Sequence, residues 1–311
     1  MRVLITGGAG FIGSALARRL TATGDEVVVI DNLSTGTRTN VPERAQFVFG
    51  DLADPTTLGL IPELAYDAVV HLAAQSSGAV SHKNPYDDLQ ANVGATVLLS
   101  RWSVERSVAR FLFASSMTVY GNTSAEPTPE DTPCLPISYY GVSKLASENY
   151  LRLAASEGLG VACFRFFNVY GAGQNIANRH QGMVSIYLAY LLDKVPVPVT
   201  GSLDRYRDFV HVDDVVDGLV RGLRKTPGSF NVYNIGTGTK TTVRQLLAML
   251  VATMKLPLDH PIEERAGSSS DVFGSVADIS LAREELGWQP RVRLDDGLAD
   301  MVTWACSQQP T

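Results

Sequence analysis

Cysteine is scarce in this chain. Its 311 residues include only Cys134, Cys163 and Cys306, too few and too scattered for a disulfide framework or a cysteine-rich zinc site, so their expected role is packing. The histidines, His71, His82, His180, His211 and His260, show no short ligand spacing such as H-E-x-x-H, and no metal site is expected. Positive charge is also short. With 26 Lys and Arg against 32 Asp and Glu, the formal net charge of -6 argues against holding nucleic acid by broad phosphate neutralisation. No apolar run approaches the length that spans a bilayer, so no membrane partner is expected. Beyond Ser268-Ser269-Ser270 there is no low-complexity tract, and no internal repeat. Met1-Arg2 leads straight into a strand pattern rather than a cleavable signal, which makes the cytoplasm the expected compartment. What remains, 45% hydrophobic and 19% charged residues, is the balance of a folded globular chain with a sizeable core.

The first half alternates short apolar runs with helical patterns. Val3–Thr6, Glu26–Ile30, Gln46–Phe49, Ala68–Leu72, Phe111–Ala114 and Val161–Phe166 each read as a strand buried on both faces. Helical spacing between them, as in Phe11–Thr23 and Val93–Ser107, predicts an α/β fold with a doubly wound parallel sheet. Later, Met183–Leu192 and His211–Lys225 read as helices, Val195–Pro198 as a breaker-rich stretch, and Phe230–Ile235 as a strand that rejoins the sheet. The expected division is a dinucleotide-binding part over 1–168, rejoined by 211–236. A smaller α/β substrate part would be built from 169–210 and 237–311.

Gly7-Gly8-Ala9-Gly10-Phe11-Ile12-Gly13 joins the first strand to the first helix. It reads both as G-x-G-x-x-G from Gly8 and as G-x-x-G-x-x-G from Gly7. Such a loop supplies a tight turn, close backbone approach to a pyrophosphate and a helix N-terminus facing the anion. Glycine spacing alone is common in turns, but here it sits between a strand and a helix. Asp31 follows the second strand where a carboxylate accepts hydrogen bonds from a ribose. Asn32-Leu33 after it place no arginine for a 2′-phosphate, which favours NAD over NADP. Asp51-Leu52 and Leu72-Ala73-Ala74-Gln75 follow later strands and are candidates to flank the cofactor.

Tyr140 and Lys144 lie four residues apart in a helix expected to run to Gly158, so phenol and ammonium share one face. A nearby ammonium favours the phenolate and is expected to lower the phenol's pKa toward the working range of an acid–base group. Ser116, in Ser115-Ser116-Met117-Thr118-Val119-Tyr120-Gly121 at the end of the fifth strand, is placed to bind a substrate oxygen together with Tyr140.

In this order, the glycine loop, Asp31, Ser116, Tyr140 and Lys144 resemble the extended short-chain dehydrogenase/reductase superfamily, specifically its nucleotide-sugar epimerase branch. The resemblance covers nearly the whole chain. It extends the cofactor-contacting set, Gly7, Gly10, Phe11, Ile12, Gly13, Asp31, Asn32, Asp51, Leu52 and Leu72 to Gln75, by Ser34, Thr35, Gly36, Asn92, Ser115, Tyr140, Lys144 and Phe166. Asn168 and Arg207 match family segments that hold the nucleotide diphosphate, and Arg265 with Asp271 resembles an Arg-x-Gly-Asp segment with a three-residue insertion. Gln181, Gly182, Met183 and Val199 complete the implied sugar-nucleotide set with Ser116 and Tyr140. Dehydratases of this superfamily carry Asp-Glu beside the hydroxyl residue and uronate decarboxylases a Glu, where this chain has Met117-Thr118. The resemblance therefore implies an NAD-dependent 4-epimerase of a UDP-hexose working through a 4-keto sugar. Two possibilities stay open, an N-acetylhexosamine or glucuronate substrate and a one-way reductase or dehydrogenase. Uronate epimerases similar to this fold carry an arginine where this chain has Asn175, with Arg179 nearby to substitute for it, and the resemblance aligns Ser275 with the position beside the sugar C2 substituent. Relatives commonly form homodimers through the Tyr140 helix, for which Leu145, Tyr150 and Leu153 are candidates.

Overall fold

The computed structural model describes residues 1–179, 181–226, 228–267 and 272–308. The apolar runs of the first half form β1 (Arg2–Thr6), β2 (Glu26–Asp31), β3 (Gln46–Phe49), β4 (Ala68–His71), β5 (Arg110–Ser116) and β6 (Gly160–Phe166). With Phe230–Ile235 they make one seven-stranded sheet in the order Phe230–Ile235, β6, β5, β4, β1, β2, β3. Every neighbouring pair is parallel. Side chains alternate across this sheet. Val3 and Ile5 of β1 enter one apolar cluster while Leu4 enters the other, and Leu112 parts in the same way from Phe111 and Phe113. Two-sided burial explains why these strands read as continuous apolar runs.

Helices Phe11–Ala22 and Val212–Arg224 cover one face through Leu16, Leu20, Val215 and Leu219. Ala95–Glu105 and Tyr139–Ser156 cover the other through Leu99, Trp102, Leu151 and Ala154. Because β1 lies between β2 and β4, the chain order reverses there, opening a crevice beyond the carboxyl ends of the strands. A third cluster lies outside the sheet. Helices Met183–Leu192, Val243–Thr253 and Leu294–Ser307 bring Leu188, Leu191, Leu246, Leu250, Leu298 and Met301 together. No helix among the described residues is long and apolar enough to cross a membrane.

Two segments differ from the sequence expectation. Val197–Thr200, overlapping the end of the breaker-rich stretch, is a strand that forms a two-stranded parallel pair with Ile262–Arg265. A two-stranded pair has free edges, where the missing N–H of Pro198 costs no ladder bond. The helix expected from Val93 begins regularly at Ala95, after a wide turn of π type over Gln90–Gly94.

His71, the last residue of β4, is buried between two threonines. Thr96 spends its hydroxyl proton on the Asn92 carbonyl oxygen, 2.6 Å away, so it accepts from His71 Nε2 at 3.2 Å. Nδ1 is then the acceptor toward Thr6 Oγ1 at 2.7 Å, and the neutral ring is satisfied. Burial, with the Lys144 charge adding to it, pushes His71 down to about 3 from its ordinary 6.5. The unfolded chain thus binds a proton below pH 6.5 that the folded one refuses, so the contribution of this group is complete above pH 6.5 and is lost as pH falls toward 3. We expect His71→Asn to flatten the acid-side decline of unfolding free energy by about 1.4 kcal/mol per pH unit in that window. Urea unfolding at several pH values measures it, and an unchanged slope would contradict the assignment.

Candidate active site

A cleft of about 1510 Å³ runs along the carboxyl ends of the strands and under the third cluster. That exceeds the usual volume of a site for one small ligand and accommodates two. One wall is the loop between β1 and helix Phe11–Ala22. Gly7 has φ +69°, and a Cβ there would meet Ala73 N at 2.6 Å. At Gly13 a Cβ would meet Gly7 O at 2.2 Å. Gly7, Gly10 and Gly13 line the cleft, whereas Gly8 packs on Val29, so the reading from Gly7 is the one the backbone follows. The helix starts without an acidic residue in its first turn, leaving its N-terminal end open to an anion.

Asp31 ties this wall together. One oxygen accepts from Ala9 N at 2.9 Å and the other from Leu33 N at 2.7 Å, and each keeps acceptor capacity for a hydroxyl. Asn32 Nδ2 donates to Asp51 Oδ2 at 3.0 Å. Phe11, Ile12, Asp31, Asn32, Ser34, Thr35, Asp51, Leu52, Leu72, Ala73, Ala74, Gln75 and Phe166 all face the cleft. A bare backbone cradle with a carboxylate beside it fits a dinucleotide.

Two of the expected cofactor contacts stand behind the wall instead. Gly36 packs against the backbone of Ala9 and Gly10. Asn92 is buried, and its Nδ2 lies within hydrogen-bond distance of Gln75 O, Asp88 Oδ1 and Ser143 Oγ, which makes it a brace for the loop after β4. Among the expected sugar contacts, Val199 points into the third apolar cluster while Pro198 and Thr200 face the cleft. Strand alternation decides this, because neighbouring side chains take opposite faces.

Ser116, Tyr140 and Lys144 meet at the end of β5. Ser138 caps the Tyr139–Ser156 helix by accepting from Gly141 N at 3.1 Å, which sets Tyr140 in its first turn. The phenol expected to fall below its ordinary value is instead pushed up to about 12 in the protein alone. Burial is the main cause; the hydrogen bond with Ser116 pulls it back and the Asp88 carboxylate pushes it further. Lys144 does not bond the phenol. Its Nζ donates to the Ala114 carbonyl at 2.9 Å and lies 4.7 Å from the centre of the Phe113 ring and 5.8 Å from that of Tyr140. Burial brings this ammonium down to about 8, against the opposing pull of Asp88 and Glu148.

Beneath them lies a buried ion pair. Arg165 on β6 donates Nε and Nη2 to the two oxygens of Glu148 at 3.0 and 2.7 Å, and the Ser115 hydroxyl donates to Glu148 as well. Ser115 lines the cleft, but its hydroxyl belongs to this pair.

The opposite wall carries Asn168, Gln181, Gly182, Met183, Arg207 and Arg265. Asn168 Oδ1 is buried without a partner among the described residues, and Gln181 Nε2 reaches across to Ser76 Oγ at 2.6 Å. Arg207 donates to the carbonyls of Tyr206 and Phe273, and Arg265 pairs with Glu263 at 3.0 Å. Asp271 lies outside the described residues. Arg179 lines the cleft already paired with Asp193. Ser275 is buried and does not line the cleft. Sequence reasoning passed over Asp88, Gln174 and Arg205, and took Thr118 only as a position where a carboxylate is missing. Of these, Arg205 had a visible signal, a second arginine two positions before Arg207.

Known proteins resemble this chain along nearly its whole length. Residues 3–236 match the family described as the NAD dependent epimerase/dehydratase family. A UDP-glucose 4-epimerase of Mycolicibacterium smegmatis is 37% identical over 309 residues, 97% of each chain. The crystal structure of UDP-glucose 4-epimerase with UDP-glucose from Thermotoga maritima superposes with a TM-score of 0.94 at 35% identity, covering 99% of each chain. A UDP-N-acetylglucosamine 4-epimerase from Methanobrevibacter ruminantium does so with 0.91 at 27% identity, again covering 99% of each.

Two substitutions probe the walls. Gly13→Ala is expected to displace the loop and abolish dinucleotide retention, read by cofactor content after purification; full retention would speak against the cradle. Glu148→Gln leaves Arg165 as an uncompensated buried charge and is expected to cost about 3–5 kcal/mol in denaturant unfolding, against near zero for a surface pair.

Proposed function

The chain belongs to the NAD dependent epimerase/dehydratase family, and we propose that it is the 4-epimerase that interconverts UDP-glucose and UDP-galactose. The observation that carries this reading is the pair of hydrogen-bonded hydroxyls, Ser116 and Tyr140, at the end of β5, with a threonine rather than a carboxylate at position 118. No acid stands beside the hydroxyl residue to drive elimination at C6 or loss of a carboxyl group, which leaves oxidation and reduction at C4.

Bound NAD supplies the acceptor, and then the donor, of the hydride at C4. Gly7, Gly10 and Gly13 would receive its pyrophosphate and Asp31 its ribose. Ser116 Oγ would hold Tyr140 Oη beside the sugar O4, and Tyr140 Oη would take the proton of the 4-hydroxyl, leaving a 4-keto sugar. After the ring turns over, Tyr140 Oη returns the proton to O4 and hydride reaches the other face of C4. The scheme asks for a firmly held diphosphate and a loosely held hexose. Arg207 and Arg265, with Asn168, support the first, because charge-assisted contacts to phosphate are strong and directional. Net redox change is zero, so the cofactor stays bound through turnover. The reading also includes division into a cofactor-binding part over 1–168 and 211–236 and a substrate part over the remainder. A homodimer completes it, supported by Tyr150 and Leu153, which are 49% and 64% exposed on the Tyr140 helix, while Leu145 packs inward.

Purified protein given UDP-galactose without added cofactor should form UDP-glucose. Turnover only of UDP-N-acetylglucosamine or UDP-glucuronate would move the substrate assignment, and stoichiometric consumption of added NAD(H) would replace epimerase by reductase or dehydrogenase. Tyr140→Phe should lower kcat by about 10²–10⁴ while cofactor content is kept; unchanged kcat would exclude Tyr140 as the base.

A further inference from the structure

We propose that Thr118 is a positioning residue that sets the direction of the Ser116 hydroxyl, so that the only proton of the serine is presented to the oxygen of Tyr140. The inference rests on the reading of Ser116 and Tyr140 as the reacting pair and deepens it.

A serine hydroxyl has one proton to donate and two lone pairs with which to accept. Ser116 closes β5 and caps the single turn Met117–Val119, accepting from Thr118 N at 3.3 Å. Thr118 Oγ1 donates to the same oxygen at 3.0 Å. Thr118 therefore fills both acceptor positions of Ser116 and spends its own proton doing so. What is left to the serine is its O–H, and its other partner is the phenol of Tyr140.

The direction matters because the two states of the phenol ask for opposite partners. A phenolate accepts only, whereas a neutral phenol also has a proton to give. A serine locked as a donor favours the phenolate, the form that takes a proton from the substrate. A serine with a vacant lone pair can turn and accept from the neutral phenol, which holds the base in its inactive form.

The other groups around Tyr140 do not depend on Thr118. Lys144 lies one turn along the same helix, and Asp88 reaches the site from the short helix Pro85–Leu89. Behind Lys144 stand Glu148 on the same helix, Cys163 on β6 and His71 on β4. Thr118 is half-buried in the cleft wall, so its substitution leaves the buried ion pair and the helix cap untouched.

The test compares the holoenzyme with Thr118→Val, Thr118→Ala and Thr118→Ser. Two measurements are made, the pH profile of kcat and KM, and the ultraviolet difference titration of tyrosinate against Tyr140→Phe. In Thr118→Val we expect the acid limb of kcat to move up by about one pH unit, with about tenfold lower kcat below the limb and unchanged KM. The Tyr140 titration should move in the same direction, and Thr118→Ser should restore both. Thr118→Ala gives the same readouts if the valine variant does not fold. An unmoved limb and titration would overturn the proposal. So would a raised KM at unchanged kcat, which marks a direct substrate contact, or failure of the serine variant to restore the profile. If the unsubstituted enzyme turns over no nucleotide sugar, the functional reading fails, yet the tyrosinate titration still decides the role of Thr118.

Discussion

The active site depends on how one helix is docked against two strands. Tyr140, Lys144 and Glu148 recur every four residues on one face of Tyr139–Ser156, and each meets the ends of β5 and β6 differently. Glu148 receives Arg165 from β6 and Ser115 from β5, two residues that stand directly opposite each other in the parallel register. One turn earlier Lys144 is caught by the Ala114 carbonyl, and one turn earlier again Tyr140 reaches Ser116. A buried ion pair is a weak source of net stability, since a well-packed apolar pair of the same volume serves about as well. Its geometry is strict, however, because a bidentate guanidinium–carboxylate contact fixes distance and angle together. Sliding the helix by one residue would break the pair and withdraw the phenol from β5 at the same time.

That docking leaves the phenol in an environment that resists ionisation. Burial and the Asp88 carboxylate both favour its neutral form, and the ammonium sits under the ring, bonded elsewhere. The sequence spacing alone suggests a direct Lys–Tyr partnership, and the folded chain shows an indirect one. Asp88 and Glu148 hold Lys144 in its charged form against the cost of burial. Lys144 makes no hydrogen bond to the phenol and lies 5.8 Å from the centre of its ring, and the hydrogen bond that acts on the phenol comes from Ser116.

The main sheet was legible in the sequence because strands buried on both faces leave unbroken apolar runs, and the glycine loop because only glycine fits where Gly7 and Gly13 touch the neighbouring backbone. Short pairings were not. Asn168–Tyr170 with Phe209–His211, and Val197–Thr200 with Ile262–Arg265, carry too few residues for a period and owe their existence to what lies across from them. At the site, the sequence pointed to the right segments more surely than to the right side chains. Val199 and Asn92 lie one or two positions from residues that do face the cleft, and which neighbour turns inward is decided by strand alternation and by the π-type turn. The hydrogen bonds of Thr118 and Asp88 were invisible for another reason. Their partners, Ser116 and the Gln75–Asn92 brace, appear only when hydroxyl and amide protons are assigned one by one.

A base held neutral by its own protein has a consequence for the order of events. At neutral pH the chain alone presents a phenol whose proton is tightly kept, with the Asp88 carboxylate adding to the effect of burial. Positive charge arriving beside the phenol opposes both and brings it down. An oxidised nicotinamide carries that charge, and a reduced one does not. On the proposed reading, the phenol would therefore be most acidic when hydride is to be accepted and would hold its proton most firmly when hydride is to be returned. On that reading, this linkage would make Tyr140 a base for the outward step and an acid for the return without any second titrating group.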